Sequence, residues 1–162
     1  MDQQLIMRVV VHFDWVYEAT GILYKLLFDK YPHVQSLFPG DLVVQRTRLA
    51  RALLFLVENI TQPDVFAPVL RELGEEHRKL GIRPVHFEGF GDSLIQAMSI
   101  CAADRWSEEI EDAWRRVYWR GAVHIIEGIE STTGELPFWN ATVVGHELRS
   151  ADTAALLIRP DH

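Results

Sequence analysis

The chain has 162 residues, 48% of them hydrophobic and 24% charged, with a mean hydropathy near zero. That is one folded domain, or one domain with a short appendage, and it excludes intrinsic disorder. Acidic residues outnumber basic ones by 23 to 16, for a formal net charge of −7, which argues against a nucleic-acid partner because phosphate binding needs a basic surface.

Most of the chain carries helical periodicity. From Leu5 to Tyr17 apolar residues crowd one flank, with Asp2 as a candidate N-terminal cap. A second helix is predicted from Glu18 to Tyr31, carrying Ile22, Leu23, Leu26 and Leu27 and stopped by Pro32. The connector that follows contains a Pro39-Gly40 turn signal and offers Asp41 as the next cap. A third helix, about Leu42 to Ile60, places Leu49, Leu53, Leu56 and Ile60 at steps of four, three and four. Thr61-Gln62-Pro63-Asp64 ends it and opens a fourth, with Phe66, Val69, Leu70, Leu73, His77 and Leu80 along one side and Gly81 at its close. Two longer helices are predicted near Pro84 to Ala103 and Ser107 to Glu130, the second with Glu109 and Glu111 at its N-terminus, where the dipole favours acid.

After Ser131-Thr132-Thr133-Gly134 the character changes. Trp139 to Leu148 and Ala154 to Arg159 read as strands, joined by a turn at Arg149-Ser150-Ala151-Asp152. Two strands alone are marginal in water, so the hairpin reads as the opening of a sheet that belongs to a following domain. The expected class is therefore all-α with a short C-terminal β-hairpin, divided into residues 1–132 and 133–162. No apolar run approaches the roughly 18 to 20 residues that span a bilayer. Met1-Asp2-Gln3-Gln4 lacks the basic start and apolar core of a secretory leader. One cysteine, Cys101, excludes an internal disulfide and a multi-thiolate metal centre within one chain. A cytoplasmic location is expected.

Three polar residues interrupt apolar helix faces. His77 continues the stripe of Leu70 and Leu73 and is either a core histidine bonded to a carbonyl or a ligand to a soft metal. Gln45, one turn before Leu49, either reaches water at a helix end or points into a pocket. Tyr24, among Leu23, Leu26, Leu27 and Phe28, needs a partner for its hydroxyl if buried. Together with Phe38 they describe two walls suited to a flat apolar ligand carrying a metal.

The order and spacing of five segments resemble a bacterial globin, nearest to the globin domain of flavohaemoglobins, over about Leu5 to Ser131. The segments are Leu23-Tyr24-Lys25-Leu26-Leu27-Phe28, Leu37-Phe38-Pro39, Gln45-Arg46-Thr47-Arg48-Leu49, Leu73-Gly74-Glu75-Glu76-His77 and Asp112-Ala113-Trp114-Arg115-Arg116-Val117-Tyr118. The resemblance implies a globin-like fold that binds haem b, with His77 as the proximal ligand to iron. It implies Tyr24 and Gln45 as the distal, catalytic pair that hydrogen-bonds dioxygen. Leu49 would shape the pocket, Phe38 would wedge against the porphyrin, and Arg48 or Arg46 would pair with a propionate. Phe138-Trp139-Asn140-Ala141-Thr142-Val143-Val144 and Ser150-Ala151-Asp152-Thr153 resemble the first strands of the flavin-reductase module that follows the globin in that family. The implied activity is nitric oxide dioxygenation in a parent chain, with FAD and NAD(P)H in that further module; the 162 residues alone would not turn over with NAD(P)H. Dioxygen, nitric oxide and carbon monoxide are the implied ligands. The alternative is a non-enzymatic dioxygen-binding or redox-sensing globin.

Two positions depart from the family pattern. Flavohaemoglobins carry a tyrosine and a glutamate that contact the proximal histidine and increase its donor strength. This chain has Phe87 and Ile129 there, with Glu127 and Glu130 nearby. A weaker donor is implied, with a carbonyl as substitute acceptor. The remaining candidates read as structural: His86 at a surface or haem edge, His12 and His124 as packing residues, Trp106, Trp114 and Trp119 as interhelix filler, and Cys101 as a buried thiol.

Overall fold

The computed structural model describes residues 2–7, 13–38, 40–131 and 140–161. Its helices are α1 (Asp2–Ile6), α2 (Phe13–Lys30), α3 (Leu42–Asn59), α4 (Pro63–Lys79), α5 (His86–Ala102) and α6 (Glu108–Ser131), with 3₁₀ segments at Pro32–Leu37 and Ala103–Arg105. The hairpin is β1 (Ala141–Leu148) and β2 (Ala154–Pro160). His12, Pro39, Phe138 and Trp139, on which sequence expectations fall, lie outside the described residues.

The boundary predicted between Tyr17 and Glu18 is absent, and α2 runs straight through it. Val16, Ala19, Thr20, Leu23, Tyr24 and Leu27 form one unbroken buried stripe at steps of three and one. The Thr20 hydroxyl donates to the Tyr17 carbonyl at 2.7 Å, so even this polar residue is satisfied within the helix. At α3 the Asp41 carboxylate accepts from the Val43 N–H at 2.8 Å, the cap expected from sequence.

Helix α4 buries Phe66, Leu70 and Gly74 at steps of four, and this stripe lies on α6. The approach is backbone on backbone. A Cβ added at Gly74 would stand 2.1 Å from the Ile125 carbonyl oxygen, and one at Gly128 would stand 2.0 Å from that of Arg71. This contact explains two corrections. Val69, one residue and so roughly 100° round the helix from Leu70, is 47% exposed. Leu80 lies past the last residue of α4, at its C-cap, and is 53% exposed.

Helix α2 packs on α5 and α3, and α1 lies on α6. The neighbours α3 and α4 share few contacts, and α4 has no packing contact with α2 or α5 among the described residues. The two helices that carry Gln45 and His77 thus have different main partners, α2 and α6, and a smaller contact with each other. The core between the packed pairs is filled by Trp114, Phe66, Leu23, Leu94 and Met98.

The hairpin is antiparallel, with Ala141 opposite Pro160, Leu148 opposite Ala154, and a bulge between Val143 and Gly145. Its apolar residues, including Val143, Leu148, Leu156 and Leu157, are exposed, and among the described residues no helix packs on it.

Alanine normally improves on glycine inside a helix by about 1 kcal/mol. At these two crossing points the sign reverses, because the new methyl meets main chain that cannot rotate away. Gly74→Ala and Gly128→Ala are each expected to lower the unfolding free energy by about 2 kcal/mol or more in urea titration. Either substitution leaving stability unchanged would contradict the backbone contact.

Candidate functional site

One wall of the candidate site is the last turn of α4. The chain ends this helix at Gly81, whose φ of +79° suits glycine. The Ile82 N–H reaches back to the His77 carbonyl at 3.1 Å and the Gly81 N–H to the Arg78 carbonyl at 3.0 Å. This pair of bonds is a Schellman motif, and it fixes the His77 backbone through its own carbonyl. The imidazole is half-buried. Burial holds its pKa below the ordinary histidine value, and the Leu73 carbonyl, one turn back, interacts with the ring N–H and opposes that shift. The ring is therefore held neutral, with one nitrogen turned to a carbonyl and the lone pair of the other available as a donor.

The opposite wall is built from α2, the 3₁₀ segment and the first turns of α3. Tyr24 is 5% exposed, and burial alone pushes its phenol up to about 12. Its hydroxyl has no hydrogen-bond partner among the described residues, and it is not one of the side-chain atoms sealed from water. The Tyr24 ring meets Phe38 edge-on at 5.2 Å, and Phe28 completes a triangle at 5.7 Å from Tyr24 and 5.6 Å from Phe38. Gln45, half-buried in the first turn of α3, leaves its amide without a protein partner among the described residues. Leu49 follows one turn later, partly buried against the core. The structure thus joins Tyr24 directly to Phe38. Among the described residues no hydrogen bond or ring contact links His77 to either of them.

The two arginines separate. Arg48 is exposed and forms no ion pair among the described residues. Arg46 is turned into the α2–α3 interface, its guanidinium 4.1 Å over the Tyr17 ring and its Nη2 donating to the Tyr17 carbonyl at 3.1 Å. Its side chain is thereby taken up by α2, which corrects the expectation that Arg46 is an alternative anion partner.

Phe87 is 7% and Ile129 6% exposed, both inside the core. The Phe87 carbonyl accepts the Tyr118 hydroxyl at 2.6 Å; burial, with Asp92 adding to it, raises the Tyr118 phenol well above its ordinary value. Sequence reasoning missed this bond, though Tyr118 lay in a quoted segment. Glu127 faces outward, held below the usual carboxylate range by hydrogen bonds from His124 and then Arg71. Glu130 is also exposed.

The other candidates resolve simply. His86 accepts the Arg83 N–H on Nδ1 at 3.2 Å, a local helix-start bond. His124 packs its ring 5.5 Å from Phe66. Trp114 is core, Trp106 partly so, but Trp119 is largely exposed, since it lies on the outer face of α6. Cys101 is half-buried rather than buried, on the rim where α5 meets Trp15. Cavities of about 310 and 160 Å³ lie elsewhere, beside Arg116 and beside Tyr118 respectively.

This donor set suits a planar metal cofactor. It comprises a neutral imidazole on α4, a neutral hydroxyl on α2 and an amide on α3 without partners among the described residues, with Phe38 beside the hydroxyl.

The sequence profile of the Globin family matches residues 22–122. The chain is 31% identical over 102 residues to a flavohemoprotein of Bacillus subtilis, covering 61% of this chain and 26% of that protein. It therefore spans about a quarter of that relative's length. In fold it is similar to a bacterial globin from Campylobacter jejuni, with a TM-score of 0.72 and 22% identity over 83% of this chain and 98% of that one. It is also similar to a flavohemoglobin from Malassezia yamatoensis solved with bound FAD and heme, with a TM-score of 0.78 and 17% identity over 100% of this chain and 45% of that one. That last likeness extends through the hairpin as well as the helices. With the family profile covering well over half of its length, and the helices, caps and crossings in this arrangement, the chain belongs to the globin family.

Proposed function

We propose that this chain binds haem b through His77 and takes dioxygen and nitric oxide as ligands, as the globin part of a flavohaemoglobin-type nitric oxide dioxygenase. The observation that carries the reading is a half-buried, neutral imidazole at the end of α4 together with a neutral phenol on α2 that has no hydrogen-bond partner among the described residues. The flavohemoprotein relatives support it. Haem, when bound, supplies an iron that accepts a protein ligand, exchanges one electron and takes up diatomic gases.

His77 would hold the cofactor with its free nitrogen, while the Leu73 carbonyl fixes the tautomer. Tyr24 keeps its proton far above neutral pH, so it acts as a donor toward any ligand oxygen that gains negative charge. The Gln45 amide adds a second donor, and in a site poor in water such pre-aligned dipoles stabilise developing charge strongly. Phe38 would lie against the flat face, Leu49 would limit the space beside it, and Arg48 would pair with a propionate. The overall reaction combines nitric oxide, dioxygen and one electron into nitrate, so it needs a reductant. We assign residues 1–132 to the globin and residues 133–162 to the start of a flavin-reductase-like β domain, with FAD and NAD(P)H bound beyond this chain. The protein would work in the cytoplasm; among the described residues no helix is long and apolar enough to cross a membrane.

Phe87 and Ile129 favour a second reading, a non-enzymatic dioxygen-binding or redox-sensing globin. Both are buried and apolar, so neither supplies a hydroxyl or carboxylate to strengthen the imidazole.

Haemin titration is expected to reach one haem per chain, with a five-coordinate ferrous spectrum that shifts on carbon monoxide. His77→Gly should lose that spectrum and regain it when imidazole is added; haem binding unaffected by the substitution would remove His77 as the ligand. Tyr24→Phe should speed dioxygen dissociation by roughly 10- to 100-fold, the worth of a hydrogen bond to a charged group. Rapid mixing of the dioxygen-loaded protein with nitric oxide separates the two readings. Prompt, stoichiometric nitrate is expected for the dioxygenase, whereas slow conversion would favour the carrier or sensor.

A further inference from the structure

Arg46 sits in an arrangement that neither packing nor charge pairing alone accounts for. Its Nε is sealed from water and has no hydrogen-bond partner among the described residues, and a buried unmet donor is unfavourable. No carboxylate neutralises it among the described residues. What holds it is the Tyr17 ring, 4.1 Å beneath the guanidinium, and the Tyr17 carbonyl at 3.1 Å from Nη2. The space it fills exists because residue 21 is glycine. A Cβ there would come within 2.9 Å of Nη2 and 3.0 Å of Cζ.

The placement of these residues is specific. Tyr17, Gly21 and Tyr24 stand at i, i+4 and i+7, on one face of α2. Arg46 is the residue after Gln45 at the start of α3. A flexible glutamine and a phenol on two different helices can act on one small ligand only if those helices keep a constant separation. We infer that Arg46 is a positioning residue: by clasping the Tyr17–Gly21 stretch of α2 it fixes the start of α3 against α2 and so sets the spacing between the Tyr24 hydroxyl and the Gln45 amide. This assignment rests on the ligand-binding reading of Tyr24 and Gln45 given above. The clasp uses a ring and a carbonyl rather than a carboxylate.

The test uses the whole chain with Arg46→Met, which keeps the stem but removes the guanidinium, Arg46→Lys, which keeps the charge, and Gly21→Ala, which leaves Arg46 in place but crowds it. In the haem-loaded ferrous protein, Arg46→Met is expected to speed dioxygen dissociation about tenfold, the scale of one misaligned hydrogen bond. The carbon monoxide stretching band should shift in the same direction as in Tyr24→Phe. Arg46→Lys should recover part of the effect, and in a Tyr24→Phe background Arg46→Met should add less than about twofold, because coupled sites are not additive. Gly21→Ala should move the band as Arg46→Met does, and it serves as the probe where Arg46→Met fails to fold.

A lowered melting temperature with band and dissociation rate unmoved would make Arg46 merely structural and overturn the inference, as would an equal effect with and without Tyr24. A second readout needs no haem. Burial raises the Tyr24 phenol to about 12, so loosening α3 from α2 should let it ionise earlier, toward the ordinary value of about 10. It is followed as the phenolate absorbance that Tyr24→Phe removes. If the wild-type chain takes up no haem, the functional reading fails while this titration still tests the clasp; an unmoved Tyr24 titration in Arg46→Met would overturn it.

Discussion

The contact between Gly74 on α4 and Gly128 on α6 is the constraint on which the rest of the arrangement depends. With carbonyl oxygens about 2 Å from where each Cβ would be, the two helices meet along their main chains, and this crossing is the most extensive helix pairing in the molecule. Among the described residues the main chain of α4 comes close to α6 and, less extensively, α3, and the half-buried His77 lies in its last turn. Three residues beyond Gly74, the imidazole inherits its position from the crossing, and the Gly81 cap then fixes its backbone.

The opposite wall is governed by α2, which packs on both α3 and α5. Its apolar stripe supplies Tyr24, and the aromatic triangle with Phe28 and Phe38 fixes the orientation of the Tyr24 ring. Burial acts on the two walls in complementary ways. It lowers the His77 pKa and raises that of Tyr24, so both groups are neutral near pH 7. A neutral imidazole offers a lone pair, and a neutral phenol offers a proton. Either group in its charged form would lose the property for which the proposed function needs it.

What could be read from sequence divides along physical lines. Local signals were reliable: Asp41 caps α3 and Gly81 ends α4, because capping depends on a few adjacent residues. Helical spacing also put Tyr24 on α2, Gln45 and Leu49 on α3 and His77 on α4, where the structure has them. Long-range features were not. Hydrophobic patterning gave Val69 and Leu80 to the core because it ignores glycine, and glycine decides which face of α4 touches α6. The break expected after Tyr17 has no physical cause in the structure; Thr20 and Gly21 look like interruptions until their partners, the Tyr17 carbonyl and the Arg46 guanidinium, are known. The turn of Arg46 toward α2 likewise depends on residues 25 and 29 positions away in the chain.

The side behind His77 bears on how the proposed chemistry would be divided. A carboxylate partner strengthens a ligating imidazole by stabilising positive charge on its ring, and a neutral carbonyl does so less. Phe87 and Ile129, at the positions where the family pattern has a tyrosine and a glutamate, are buried hydrocarbon. The one nearby hydroxyl, that of Tyr118, is spent on the Phe87 main chain at 2.6 Å, and Glu127 is held outside by Arg71 and His124. The Leu73 carbonyl, one turn back, opposes the lowering of the His77 pKa that burial causes. Under the proposed function, with less electron density supplied to the imidazole, negative charge on a ligand would be stabilised by the Tyr24 hydroxyl and the Gln45 amide. Hydrogen-bond strength falls steeply with misalignment, so a chain built this way relies on the α2–α3 spacing more heavily than one with a strong proximal donor. The guanidinium clasp at Tyr17 and Gly21 lies on that same α2–α3 interface.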